Sequence, residues 1–95
     1  MNYEEIPLNN NEHDHNFEMM INGHRAFIDY MTKGEKMYLI HTEVPQQLEG
    51  LGIAAAMVEK ALQFIEDNNL KLVPLCPYVQ HYLKRHPNWN RILAP

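Results

Sequence analysis

A glycine-containing loop in the middle of the chain has the residue types that hold phosphate. It reads Gln47-x-x-Gly50-x-Gly52 and leads directly into a predicted helix. Glycines let the backbone approach a ligand closely, and the unpaired amides of a helix's first turn attract anionic oxygen. The loop lacks the Gly-Lys-Ser/Thr of a P-loop, and no acid follows the next strand as in a dinucleotide-binding fold. It therefore predicts a phosphate site of another kind, with a simple turn as the alternative.

Two prolines predict a cleft beside this loop. Pro45 and Pro74 fall at or near the C-terminal ends of two predicted strands that a helix connects. Proline cannot donate a hydrogen bond to a ladder, so adjacent parallel strands that each carry one near the same end are expected to separate there. Ligands of open α/β sheets bind at that end. The alternative is that each proline only terminates its own strand.

Three side chains near the predicted cleft are candidates for catalysis: Cys76, His41 and Glu43. Cys76 precedes a predicted helix whose first amides can stabilise a thiolate, although unpaired cysteines are also commonly buried as small hydrophobes. His41 is a candidate general base, with a partly buried cross-strand histidine as the alternative. Glu43 is either a catalytic carboxylate or a solvated edge charge. We expect Cys76 at the mouth of the cleft, close to the reacting group.

The elements that position these residues predict an α+β fold with the order βββαβα. Asn22-Gly23 between two apolar runs is a strong hairpin signal, because both central turn positions need positive φ. Apolar residues at i, i+3, i+4 and i+7 spacing from Leu51 predict a helix that lies on the sheet. The predicted strands cover residues 17–21, 24–32, 36–44 and 70–76, and a short second helix covers 78–86. A strand, a crossover helix and another strand imply a parallel pair.

Length and charge limit the classes of protein that fit. The 95 residues suffice for one domain, predicted at 16–95 after a flexible N-terminal arm at 1–15. A net charge of −4 has the wrong sign for nucleic acid or anionic membranes. One cysteine, no signal peptide and no apolar run of membrane-spanning length indicate a cytoplasmic protein. His13 and His15 lack two further ligands, so no metal site is predicted.

The loop and its surroundings resemble the GNAT superfamily of N-acetyltransferases. Gln47-x-x-Gly50-x-Gly52 matches the signature Q/R-x-x-G-x-G/A that embraces the pyrophosphate of acetyl-CoA. The stretches HTEVPQQLEGLGIAAAMVEKAL and KLVPLCPYVQHYLKRHP resemble the very small GNAT-like N-acetyltransferases of the YjdJ type, and the resemblance covers roughly residues 16 to 90. It implies antiparallel strands followed by a β-α-β crossover whose parallel strands splay apart.

The resemblance also implies a set of contacts to acetyl-CoA as cosubstrate. Backbone groups of Glu43 and Val44 would meet the pantetheine arm. Charge, and not the resemblance, makes the basic cluster Lys84, Arg85 and His86 the candidate partner of the 3′-phosphate, with a solvated face as the alternative. The pyrophosphate would lie against the loop, and further contacts would come from the following strand end and helix. These residues are Gln47, Leu48, Glu49, Gly50, Leu51, Gly52, Ile53, Cys76, Tyr78 and Tyr82. For Tyr78 and Tyr82 the alternative is that their rings belong to the core or cover the small sheet.

The function implied is an acetyl-CoA-dependent N-acetyltransferase with an unknown amine or thiol acceptor, which can be a protein. Larger relatives have N-terminal helices and C-terminal strands that shape the acceptor site, and this chain lacks recognisable counterparts. The family's tyrosine general acid is also unassigned, because Leu83 takes its expected place with Tyr82 beside it. The alternative is therefore a non-catalytic acyl-CoA binding or sensing module, or a subunit that depends on a partner. No metal, nucleic acid or membrane partner is expected.

Overall fold

One five-stranded sheet organises the protein, and its strands are neighbours in the order in which they occur in the chain. The computed structural model describes residues 3–95. All neighbouring strands are antiparallel except the last two, which are parallel. The strands are β1 (Asn9–Asn11), β2 (Asn16–Ile21), β3 (His24–Lys33), β4 (Lys36–Glu43) and β5 (Lys71–Pro74). The α+β fold with a closing parallel pair is the one predicted from the sequence.

Local sequence explains the tight turn between β2 and β3. Asn22 and Gly23 both have positive φ, at 51° and 79°, as a two-residue hairpin turn requires. The cross-strand pair Ile21↔His24 closes the turn.

Two α-helices follow β4 and β5. The first, α1 (Ile53–Asp67), connects β4 to β5, and the second, α2 (Pro77–Arg85), follows β5. Short 3-10 helices cover Tyr3–Glu5, Gln46–Leu48 and Pro87–Ile92. None of the helices in the described part of the chain is long and apolar enough to cross a bilayer.

The core lies on one face of the sheet, which we call the helix face. Nine sheet residues are buried there: Phe17, Met19, Ile21, Ala26, Ile28, Tyr30, Met37, Leu39 and Leu72. The apolar stripe of α1 packs against them with Ile53, Met57, Val58, Ala61, Leu62 and Ile65. The opposite face, which we call the open face, carries Met20 and Met31 at 55% and 47% exposure, with Phe27 and Tyr38 half-buried. The sheet is therefore covered on one side only.

The strand β1 is an addition to the predicted order βββαβα. It lies within residues 1–15, for which the sequence predicts a flexible arm, and residues 1 and 2 of that arm lie outside the described residues. Three consecutive asparagines have low β propensity, so their sequence gives no strand signal. Contacts to the sheet hold them instead: Asn9 Nδ2 donates to Glu18 Oε1 at 2.7 Å, and Tyr30 Oη donates to Asn10 Oδ1 at 2.6 Å.

Candidate functional site

The parallel strands β4 and β5 separate before β4 ends. Their pairing stops at Leu39↔Pro74, whereas β4 continues to Glu43. The carbonyl oxygen of Leu39 accepts the N–H groups of both Leu75 (3.0 Å) and Cys76 (2.9 Å), and the chain then turns into α2. We call the gap beyond this point the cleft. It lies at the end of the strands where the prolines predict it.

The loop from β4 to α1 presents glycine backbone next to the cleft. Gly50 and Gly52 have φ of 79° and 77°, in the left-handed region that favours glycine. Gly52 is the N-cap of α1, so no N-cap side chain bonds the amides of the first turn. A Cβ atom placed on either glycine would meet no atom within 4 Å. The geometry leaves open space beside backbone amides that lack an N-cap side-chain acceptor, which suits an anionic group.

The other residues of the loop are of two kinds, buried and exposed. The side chain of Leu48 is buried in the core and anchors the loop, and Ile53 is buried at the start of α1. Gln47, Glu49 and Leu51 are exposed. Leu48 and Ile53 can therefore meet a ligand only through their backbone atoms.

Cys76 lies on the helix-face side of the cleft. Its side chain is buried, with 2% of the residue exposed, and the residue is the N-cap of α2. The sulfur lies 3.3 Å from Thr42 Oγ1. Thr42 pairs with the buried Ile28 across β3 and β4, and partners of this kind share a face. Cys76 and Thr42 thus bridge the two separated strands.

His41 and Glu43 lie on the open face. Their side chains are 56% and 54% exposed, and His41 Nε2 is 2.9 Å from Glu43 Oε2. Across the ladder they pair with Asp29 and Phe27, and the ring of His41 meets that of Phe27 edge-on with centroids 6.5 Å apart. The pair is an imidazole oriented by a carboxylate, an arrangement that can accept a proton from a substrate.

A bulge in β4 explains why the predicted catalytic residues are on different faces. Tyr30 pairs with Leu39 and Asp29 with His41, so Ile40 is an extra residue in β4. Strict alternation from the buried Leu39 would turn His41 into the core, and one extra residue reverses that alternation. The structure therefore brings Cys76 next to Thr42, while His41 lies on the other face of the sheet.

Tyr82 is engaged with α1. Its hydroxyl donates to Glu59 Oε2, and Trp89 Nε1 donates to the same oxygen at 3.0 Å. The ring of His86 stacks on Tyr82 with centroids 4.1 Å apart. Burial and the Glu59 carboxylate raise the pKa of Tyr82 well above its usual value. The hydroxyl therefore holds α2 and the C-terminal segment against α1.

The remaining predicted contacts lie along α2. Tyr78 is half-buried, and burial raises the pKa of Tyr78 above its usual value, against an opposing effect of the nearby Arg85 charge. Lys84 and Arg85 are exposed in the last turn of α2. No group of three or more His, Cys, Asp or Glu side chains in the described part of the chain could hold a metal ion.

Comparison with known proteins shows the family of this chain. A family model of GCN5-related N-acetyltransferases matches residues 16–92, a span that contains β2 to β5, the glycine loop and both α-helices. The chain belongs to the GCN5-related N-acetyltransferase family.

Relatives within this family are similar over most of their length. Protein NATD1 of Xenopus tropicalis is 38% identical over 82 residues, covering 80% of this chain and 75% of the relative. The mouse and human NATD1 proteins are also 38% identical over 82 residues, with 74% and 73% of the relatives covered.

A solved structure supports the same fold. The NMR structure of a GCN5-like protein from Staphylococcus aureus matches with a TM-score of 0.70 at 21% identity. The match covers 99% of this chain and 91% of the other. At this identity the similarity concerns the fold.

Two residues that contact predicted site residues are not themselves indicated by the sequence. Thr42 contacts the Cys76 sulfur, and only the bulge at Ile40 gives it that orientation. Glu59 accepts a hydrogen bond from the Tyr82 hydroxyl, but in the sequence it is one of several polar residues on the side of α1 that is predicted to face solvent. Neither has a local pattern that could have marked it.

Proposed function

We propose that this member of the GCN5-related family binds acetyl-CoA in the cleft and transfers the acetyl group to an amine. One observation carries the proposal: the β4–β5 ladder ends at Leu39↔Pro74 beside a loop whose two glycines have positive φ. Separated strands offer backbone groups to an extended ligand, and the loop offers amides to its phosphates. Acetyl-CoA has both parts and is the general cosubstrate of the family.

The residues fit this ligand in two places. The space beside Gly50 and Gly52 is open, so a pyrophosphate can approach the first amides of α1 at the loop formed by residues 47–53. Backbone groups of Glu43 and Val44 are the proposed partners of the pantetheine arm. The exposed cations Lys84 and Arg85 are proposed to hold the 3′-phosphate.

His41 and Glu43 are the proposed proton acceptor pair. If the Nε2–H of His41 donates to the carboxylate of Glu43 at 2.9 Å, the Nδ1 lone pair is left to accept a proton. An amine that arrives from the open face would attack the acetyl carbonyl and lose its proton to Nδ1. CoA then leaves as its thiol or thiolate. Glu43 stabilises the imidazolium that forms, and a backbone N–H of β4 near Glu43 or Val44 is the proposed donor to the oxyanion.

Cys76 is proposed to lie beside the acetyl group without forming a bond to it. Its buried sulfur is engaged with Thr42 on the helix face, whereas an amine acceptor would meet His41 on the open face. In the covalent alternative, Cys76 Sγ attacks the thioester carbonyl and CoA leaves as its thiol. The amine then attacks the acetyl-cysteine, and the Cys76 thiol is released.

The test measures binding and turnover separately. Titration calorimetry with acetyl-CoA should give saturable binding, and mass spectrometry should detect acetylated product from a panel of primary amines and amine-bearing peptides. His41→Gln should reduce turnover by about 10²- to 10⁴-fold, the usual contribution of a general base, with binding unchanged. Binding without acetylation of any amine would favour the non-catalytic acyl-CoA module. Absence of binding would refute the proposal.

The proposed setting for this activity is the cytoplasm. The proposed transfer requires a compartment that contains acetyl-CoA. The single free Cys76 also suits a compartment that keeps thiols reduced. Fractionation of cells that express a tagged chain would test the location.

A further inference from the structure

A second charged feature lies at the end of the sheet remote from the cleft. Lys36 pairs with Lys33 on β3 and with Lys71 on β5. The three lysines therefore form a single row across three neighbouring strands, which we call the lysine row. Lys36 and Lys71 begin the two strands that separate at their other ends, after Leu39 and Pro74.

The lysine row concentrates three positive charges at one end of the sheet. Neighbouring strands lie about 4.8 Å apart, so the row spans about 10 Å. Like charges directly opposite each other destabilise a sheet. No acidic side chain in the described part of the chain forms an ion pair with any of the three. The acidic residue nearest to the lysine row in the sequence is Glu35, in the turn between Lys33 and Lys36. Its backbone carbonyl oxygen accepts a hydrogen bond from the backbone N–H of Lys71 at 2.7 Å.

The lysine row borders a groove with room for a ligand. The groove has a volume of about 800 Å³ and is lined by the lysine row, the turn Gly34–Glu35, Tyr38 and Pro95. Tyr38 pairs with the exposed Met31 and, on the other side, with Val73, and its ring is half-buried. The groove thus combines three ammonium groups and one carboxylate, that of Glu35, with an aromatic wall.

We infer that the groove binds a ligand whose phosphate groups are clustered within about 10 Å. Each ammonium group is a compact charge with three donors, which suits phosphate oxygens. Three of them in a row match a chain of linked phosphates better than a single carboxylate. The site is distinct from the acetyl-CoA cleft, because the lysine row lies at the start of β4 and β5 and the cleft at their ends. The phosphates belong to a free polyphosphate compound or to a phosphorylated peptide.

Titration calorimetry with sodium tripolyphosphate at 50 mM salt tests the inference, with acetyl-CoA present at saturation so that the phosphate site of the cleft is occupied. We expect saturable binding that weakens at higher salt, since exposed charges are screened. Lys36→Gln should weaken it about tenfold, the loss expected for one charge-assisted contact, and the triple variant of the lysine row should abolish it. Without ligand, Lys36→Gln should raise the melting temperature by a few degrees, because it removes the central like charge.

Two comparisons make the outcome decisive. Lys60→Gln removes the same charge from α1 and should leave tripolyphosphate binding unchanged. If Lys60→Gln weakens binding and Lys36→Gln does not, the phosphate binds on α1 and the inference is wrong. A peptide of consecutive glutamates that binds as tightly as tripolyphosphate would also overturn it.

A peptide with two adjacent phosphoserines distinguishes the sources of phosphate. Tighter binding of this peptide than of tripolyphosphate assigns the groove to a phosphorylated protein segment, and weaker binding assigns it to a free compound. Acetyl-CoA affinity should be equal in the wild type and in the triple variant, so failure of this site and failure of the proposed function give different results.

Discussion

Two matched glycine substitutions test whether the loop holds the pyrophosphate of acetyl-CoA. Gly50 lies in the loop and Gly23 in the β2–β3 turn, and both have φ of 79° with no atom within 4 Å of a Cβ placed on them. Gly50→Ala and Gly23→Ala should therefore cause similar backbone strain, and the added methyl group clashes with no atom of the protein in either variant. Only Gly50→Ala places a methyl group beside the proposed phosphate site.

The structure gives the expected size of both effects. A non-glycine residue in the left-handed region costs about 1–2 kcal/mol, so each variant should melt about 4–15 °C lower than the wild type. A domain of this size is stable by about 5–14 kcal/mol, so both variants should remain almost fully folded near 15 °C. A methyl group that displaces a phosphate from one amide removes a charge-assisted hydrogen bond of about 1.5–3 kcal/mol. This loss weakens binding by about 10- to 150-fold.

Titration calorimetry with acetyl-CoA below both unfolding transitions measures the difference. We expect Gly50→Ala to lose affinity and Gly23→Ala to keep it, although both are destabilised alike. Undiminished affinity in folded Gly50→Ala would refute the assignment of the loop. An equal loss in Gly23→Ala would show that affinity follows stability and not the site.

Three further predictions concern Cys76 and the cluster around Glu59. Cys76→Ala should lower the free energy of unfolding by about 1 kcal/mol because it leaves a small cavity where the sulfur was buried, but it should retain turnover. Acetyl-cysteine found by mass spectrometry of the wild type would contradict direct transfer of the acetyl group from CoA to the amine. Glu59→Ala should lower the free energy of unfolding, measured with denaturant, by about 1–3 kcal/mol, since the Tyr82 hydroxyl and the Trp89 N–H lose their acceptor. Glu59→Gln keeps an acceptor oxygen and should lower it less; an equal decrease in both variants would refute the role of this oxygen. The pKa of Tyr82 is raised on folding, so its contribution to stability is full below about pH 10 and is lost as the pH rises further. Tyr82→Phe should therefore reduce the loss of stability measured between pH 8 and 11. The same dependence of stability on pH in the variant and the wild type would contradict the raised pKa.

Much of the fold follows from short-range signals in the sequence. The pair Asn22–Gly23 predicts a turn in which both residues have positive φ, as observed. The apolar spacing predicts α1 to within two residues of its observed start at Ile53. The strand β1 could not be predicted, because Asn9–Asn11 is held by pairing with β2 and not by its own propensity. The parallel bridge Leu72↔Leu93 likewise depends on tertiary contact.

The backbone of the candidate site was predictable, but the orientation of its side chains was not. The prolines and glycines predict where the strands separate and where the loop bends, because their backbone restrictions are local; that acetyl-CoA binds there stays a prediction. Which face His41 occupies depends on the extra residue Ile40 in β4, and a bulge leaves no signature in a single strand's alternation. Tyr82 was a candidate for cofactor contact because of its position in α2, yet its hydroxyl is bonded to Glu59, a partner 23 residues away in the chain.

The bulge in β4 also determines from which side an acceptor can reach the proposed reaction. The helix face is filled by the core residues of α1, and the Cys76 sulfur beneath the cleft is buried there. On the open face His41 and Glu43 are more than half exposed, and no helix covers the neighbouring Met31. An amine that gives its proton to His41 must therefore approach across the open face. Because no helix within residues 3–95 covers this face of the sheet, an acceptor that is itself a protein segment can lie against it and reach the cleft.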